Sequence, residues 1–170
     1  MIFTLFISVV IIQRLFEVII ARRNEIWMKQ QGALEYGQNH YKYMVLMHIS
    51  FFVVLIVEVV ALERELSIWW PLYITIFLLL QIVRIWVISV LGKYWNTKII
   101  VLPGIEVVHN GPFKWLKHPN YLIVTLELLV IPLLFQAYIC AVIFFLLNQL
   151  MLAIRIPVEE RALKQHTNYS

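Results

Sequence analysis

The stretch GPFKWLKHPNY, Gly111 to Tyr121, gathers a glycine, two prolines, two lysines, a histidine and three aromatic residues immediately before a long apolar run. Gly111-Pro112 signals a turn. Pro119 suits the first turn of a helix, where its missing N–H costs nothing. His118, or Asn120 just inside, then lies at a helix amino terminus, where free N–H groups and the helix dipole attract an anion. Phe113, Trp115 and Tyr121 offer flat faces to a planar or cationic group. Such a set suits a ligand that carries both a ring and a carboxylate or phosphate. An interfacial belt of aromatics and lysines would use the same residue types.

A second constellation lies near the carboxyl terminus, in RIPVEERAL. Arg155 and Glu159 are four residues apart and share a helix face, although Pro157 between them disturbs that helix. The plain alternative for this pair is a solvated surface ion pair. A third set sits inside the apolar runs: Gln13, Arg14 and Glu17 on one face of the first, Glu58 in the second, Arg84 in the third and Glu127 in the fourth. Charges at membrane depth are costly, so they pair or line a cavity. Arg14 or Arg84 with Glu17 or Glu127 is the expected pairing; a polar wall around a ligand is the alternative. Glu58 and Arg84 are close enough to span ends to snorkel instead. The histidines, His40, His48, His109, His118 and His166, show no metal-ligand spacing, so no metal site is expected.

These residues must be positioned by a membrane fold. Of the 170 residues, 62% are hydrophobic and 14% charged, and mean hydropathy is +0.81. Soluble domains are nearer half apolar and a quarter charged. The length allows one domain, 1–170. Cys140 lies alone in an apolar segment and reads as a small buried hydrophobe. The net charge of +4 falls between apolar runs rather than along one exposed face, so nucleic acid is not an expected partner. MIFTLFISVVII has no basic residue before it and no small-residue cleavage site after it; Arg22 and Arg23 follow, and the segment reads as a retained helix.

A span needs roughly 20 mainly apolar residues. Five candidates occur, about 1–21, 43–62, 69–91, 119–136 and 138–155, so the expected fold is all-α, an integral membrane bundle of about five transmembrane helices. The last two meet at Phe135-Gln136-Ala137-Tyr138 and should form a tight helical hairpin, with Pro132 kinking the fourth helix near its end. Basic residues crowd three segments, 22–42, 92–118 and the tail, whereas Arg64 stands alone across from them. By the positive-inside rule the amino terminus is outside and the carboxyl terminus cytoplasmic, in a multi-pass protein of the cell membrane. GPFKWLKHPNY and the tail then share the cytoplasmic face.

The order GPFKWLKHPNY, apolar hairpin, RIPVEERAL resembles the isoprenylcysteine carboxyl methyltransferase family, whose members carry G-P-Y/F, three or four residues, R/K-H-P-x-Y and a closing R-x-x-x-E-E. GKYWNTKIIVLPGIEVVHNGPF and the polar QRLFE of the first helix are similar to the small prokaryotic-type members. The resemblance implies S-adenosylmethionine bound at the cytoplasmic face without a Rossmann domain, and the five glycines indeed never form GxGxxG. The cofactor-binding part would be about 93–170. Carried over by position, the cofactor shell comprises Ile105, Glu106, Val107, Val108, Phe113, His118, Pro119, Asn120, Tyr121 and Glu159, and Arg155 is the catalytic residue facing the acceptor. Two positions depart from the pattern: Phe113 stands where many relatives have tyrosine, and Lys117 replaces an arginine, losing a bidentate fork.

The activity so implied is O-methylation of a lipophilic small-molecule or prenylated acceptor that arrives through the membrane lipids. A carboxylate acceptor is already ionised and needs an anchor, for which Arg155 is suited. A phenolic or pyrone-like hydroxyl would need a base, and His109 and His118 are the nearby candidates. Lipid-amine N-methyltransferases share a similar signature. A non-catalytic membrane accessory or binding protein would be expected to have lost Arg155, Glu159 or His118. A transporter would show repeats or broken helix pairs, and none is evident. The acceptor, the oligomeric state and any substrate contact of Gln13, Arg14 and Glu17 stay open at the level of sequence.

Overall fold

The computed structural model describes residues 1–169, which form five α-helices: α1 (Ile2–Gln30), α2 (Gln38–Ala61), α3 (Trp70–Leu91), α4 (Pro119–Leu134) and α5 (Tyr138–His166). Four of them are long and apolar enough to cross a bilayer; α4 is the shorter apolar one. The protein is an all-α integral membrane protein, as its composition requires. Its outward-facing positions are leucine, isoleucine, valine and phenylalanine over most of the helix length, which is stable only in lipid.

Two ends of the bundle differ in character. At one, α2 and α3 are joined by a short turn, and α4 and α5 by the hairpin Phe135-Gln136-Ala137, in which Gln136 adopts a positive φ of 54°. The turns are tied together: Ser67 N–H donates to Leu134 O at 2.9 Å, and the Gln136 amide reaches Glu65 O at 3.3 Å. Pro132 lies in the last turns of α4, and its carbonyl accepts from Phe135 and Ala137. Pro157 does not end α5, which continues to His166.

All three basic segments meet at the opposite end. Leu34–Tyr36 (β1) pairs antiparallel with Ile99–Val101 (β2), Tyr36 opposite Ile99. Three-residue strands carry too little pattern to be read from sequence, and this ribbon was not foreseen. Ile99 and Val101 bury against Ala162 of α5, with Tyr36, Val158 and Leu163 around them. Asn24 donates to Trp95 O at 2.7 Å and Asn96 to Ala21 O at 3.1 Å, fastening α1 to the turn after α3.

At membrane depth the charges pair. Arg14 donates to Glu17 at 2.6 Å and to Glu127 at 2.8 Å; Arg84 donates to Glu17 at 2.9 Å and also to Glu127. Gln13 and Gln81 complete the network, Gln81 donating to Glu127 at 2.7 Å. Two arginines and two glutamates cancel, joining α1, α3 and α4. Arg84 therefore does not snorkel: its side chain is 4% exposed, because two carboxylates neutralise it in place. Glu58 is not a snorkelling group either. It is buried and accepts the Ile139 and Cys140 N–H groups at the start of α5, where a carboxylate meets the helix dipole favourably.

Candidate active site

Helix α4 starts where the sequence places it, at Pro119, with His118 as the preceding residue. Its 16 residues span about 24 Å at 1.5 Å per residue, against a hydrocarbon thickness of about 30 Å. With its far end tied to the α2–α3 turn, its amino terminus stops short of a full span and is recessed relative to the longer helices. Helix α5 has 29 residues and overshoots it, so the turns bearing Arg155, Glu159 and Glu160 pass beside that recessed start.

The two motifs close on each other there. Arg155 Nε donates to the Tyr121 hydroxyl at 2.7 Å, and that hydroxyl donates to Glu159. Arg155 Nη2 donates to Thr97 O at 2.6 Å. Nη1 finds no hydrogen-bond partner among the described residues, although Arg155 is only 4% exposed. The guanidinium is thus held by two of its nitrogens and presents the third. His118 lies stacked on the Tyr121 ring, with centroids 5.4 Å apart, and its Nε2 is 3.1 Å from Glu160 Oε1. Asn120 Oδ1 is buried without a partner among the described residues. An orphaned acceptor beside free helix N–H groups is a place where a ligand's donor belongs.

The predicted segment Ile105, Glu106, Val107 and Val108 forms a loop after β2 that the tail secures. Gly104 N–H donates to His166 O at 3.0 Å and Val107 N–H to Asn168 Oδ1 at 2.8 Å. Tyr169 continues the tail to Glu160, and Lys117 lies over its ring. Burial, then the charge of Glu160, pushes the Tyr169 phenol up to about 12. The loop therefore reaches the rim of the site through the tail, with Glu106 exposed. Phe113 packs against the buried helix core. Pro119 is fully buried and fixes the helix start.

Four nearby residues were not singled out from sequence. Thr97 supplies a carbonyl to Arg155, and Tyr41 lies 3.2 Å from its hydroxyl. Glu160 had a visible signal, the second acid of the Glu-Glu pair. His40, in the first turn of α2, lies with its ring against Gly37, and its Nε2 is buried without a partner among the described residues. The two proposed bases fare differently: His109 is exposed, and His118 is engaged by Glu160. No cluster of metal-ligating side chains occurs among the described residues.

Comparison with known proteins agrees with this geometry. The chain is 48% identical over 165 residues to the uncharacterized protein YpbQ of Bacillus subtilis (strain 168), covering 97% of this chain and 98% of the relative. It is 27% identical over 151 residues to an uncharacterized protein of Haemophilus influenzae, covering 88% of each. No solved structure matches it. The pattern of the isoprenylcysteine carboxyl methyltransferase (ICMT) family matches residues 72–165, which hold both motifs and the hairpin between them. With more than half of its length matched, and with Tyr121 joined to Arg155 and Glu159 across the two motifs, the chain belongs to the isoprenylcysteine carboxyl methyltransferase family of membrane methyltransferases.

Proposed function

We propose that the protein is an S-adenosylmethionine-dependent O-methyltransferase that acts on a lipophilic acceptor at the cytoplasmic face of the cell membrane, with its amino terminus outside. The observation that carries this reading is the Tyr121 hydroxyl, which joins Arg155 to Glu159 across two helices. The cofactor supplies an electrophilic methyl group on a sulfonium. His118, Asn120, Tyr121 and Glu159 would hold it at the start of α4, with Ile105–Val108 at the rim, and the unpaired Asn120 oxygen fits a donor on its polar part.

Catalysis then needs little beyond alignment and dryness, because charge is cancelled as the new bond forms. Arg155 Nη1 anchors the acceptor oxygen. That oxygen would sit near the hydrocarbon boundary, beside the start of the short helix α4, so that a greasy molecule arrives from lipid while the cofactor arrives from water. An isoprenylcysteine-type carboxylate is the acceptor that the family resemblance supplies. A phenolic or enolic hydroxyl on a lipid chain is the second reading, favoured by His118, a histidine that stacks on Tyr121 at the site and is engaged by Glu160.

Calorimetry on the detergent-purified protein tests the proposal. Wild type should bind S-adenosylmethionine in the micromolar range, and Glu159→Ala and His118→Ala should weaken it. Well-folded wild-type protein that binds none, with or without added lipid, would leave a non-catalytic membrane protein as the better reading.

A further inference from the structure

Helix α5 ends at His166, and the chain leaves it in extended backbone, Thr167 having a φ of −137°. The root of this segment is fastened. The His166 ring bonds the Tyr36 hydroxyl of β1, the His166 carbonyl accepts Gly104 N–H at 3.0 Å, and Thr167 N–H returns to Leu163 O at 2.9 Å. Beyond the root the chain doubles back. Asn168 Oδ1 accepts Val107 N–H at 2.8 Å, and the Tyr169 hydroxyl donates to Glu160 Oε1 at 3.3 Å. That same Glu160 oxygen lies 3.1 Å from His118 Nε2. Residues 167–169 therefore form a strap from the Ile105–Val108 loop to the Glu160–His118 pair, the two sides of the candidate site. The tip of the strap is held more loosely than its root. Asn168 and its bond to Val107 are exposed, and Lys117 meets the Tyr169 ring only through a cation–π contact of 5.5 Å. Bonds of this kind compete with water and open at low cost.

We propose that residues 167–169 are a latch on the cofactor site: the strap opens about its His166–Thr167 root to let S-adenosylmethionine in and the demethylated thioether out, and is closed in between. The inference rests on the methyltransferase reading and adds to it the element that controls exchange with water. Such a site has two conflicting needs. Water has to be kept from the reacting groups during transfer, yet the aqueous side has to open once per turnover. A rigid wall meets only the first need. A segment with a fastened root and a tip on weak surface bonds meets both. Asn168 closes one side by holding the backbone of the loop, and Tyr169 closes the other through the carboxylate that engages His118.

The test uses the full chain in detergent and tritium-labelled S-adenosylmethionine, with association and dissociation followed by rapid filtration. Asn168→Ala combined with Tyr169→Phe should raise both rates together, by about tenfold, the scale of one or two surface hydrogen bonds. Kd and the thermal midpoint should stay near their wild-type values. Glu159→Ala, which removes a binding group, should instead raise dissociation alone. A second measurement loads the Val107→Cys, Asn168→Cys variant with cofactor and bridges the two thiols with a short bis-methanethiosulfonate reagent; Cys140 is buried and is spared. The bridged protein should keep its label until a reductant is added. A double variant whose dissociation alone accelerates, or whose rates match wild type, would overturn the proposal. So would label that escapes the bridged protein at the wild-type rate. A wild-type protein that binds no cofactor is detected before any variant is compared, and it overturns the underlying reading instead.

Discussion

Arg155 Nε donates to the hydroxyl of Tyr121 at 2.7 Å, and the hydroxyl spends its own proton on Glu159. One oxygen on α4 thereby fixes two charged side chains on α5, each a single turn from the other. Removing it should separate them without disturbing the fold. Tyr121→Phe keeps the ring that stacks on His118 but leaves Glu159 and Arg155 each a partner short. Hydrogen bonds to charged groups contribute about 1.5–3 kcal/mol, so calorimetry should show S-adenosylmethionine binding weakened about tenfold or more, with the thermal midpoint little changed. Unaltered affinity would show that the hydroxyl has no part in the site.

Arg155 separates binding from transfer. Its Nη2 is committed to Thr97 and its Nε to Tyr121, so what it offers an acceptor is Nη1. Arg155→Lys replaces a planar fork with a point charge. Methyl transfer should fall about 100-fold or more while cofactor affinity changes by only a few-fold, the loss expected when transition-state positioning alone is removed. Kd and kcat/KM measured on one preparation distinguish this from a general loss of the site.

The intramembrane network should be sensitive to single changes and tolerant of concerted ones. Glu127→Ala leaves Arg14 and Arg84 to share Glu17 alone, one buried positive charge in excess. Breaking such a pair from one side costs about 3–5 kcal/mol, and thermal unfolding in detergent should show a clear drop in midpoint. Replacing Arg14, Glu17, Arg84 and Glu127 together by apolar residues of similar volume should recover most of it. A quadruple variant as unstable as the single one would mean that the network does more than hold helices.

Glu58 should behave as a helix cap. Glu58→Ala strands the buried Cys140 N–H, worth about 1–3 kcal/mol when left unpaired, and frees the partly buried Ile139 N–H. Hydrogen exchange at the first turn of α5 should accelerate specifically, whereas exchange at the start of α4 should not.

Lys98 gives a pH signature at the end of the bundle that carries the ribbon. It donates to Glu25 at 2.7 Å and lies 3.3 Å from Glu35, joining α1 to both strands. Burial pulls its ammonium down, but hydrogen bonds to and the charge of these two carboxylates prevail and hold it above its ordinary value of 10.5. Because the folded value is the higher one, the stabilisation is complete below 10.5 and is lost as pH rises through the folded value. Melting curves of wild type and Lys98→Met should therefore differ at neutral pH and converge in strong alkali.

The helices and their pairing were legible because lipid leaves few choices: an apolar run of sufficient length is a span, and an acid and a base within spans seek each other. Arg14, Glu17, Arg84 and Glu127 followed that rule. Arg84 and Glu58 defeated the snorkelling expectation because partners lay closer than water: two carboxylates on α1 and α4 for Arg84, and the N–H groups that open α5, with Arg64 beside them, for Glu58. The site's motif halves were legible as short constellations, and the start of α4 at Pro119 came from local turn chemistry alone. Thr97, Tyr41 and His40 were not, since a backbone carbonyl and an unpaired ring nitrogen leave no trace in residue type or spacing. Tyr41 and Thr97 come beside Arg155 only once α2, α5 and the segment after α3 have packed together.

The charge network also dictates an order of events during synthesis. Helix α1 enters the bilayer already neutral, because Arg14 and Glu17 are three residues apart and bond to each other. Helix α3 carries Arg84 and no acid of its own, and α4 carries Glu127 and no base. Each later helix is thus a lone charge with a reason to seek α1, the first arrival. The amino-terminal helix, which holds no residue of either motif, carries the charged seam that α3 and α4 pack on, and the two motifs can meet only after α5 has emerged.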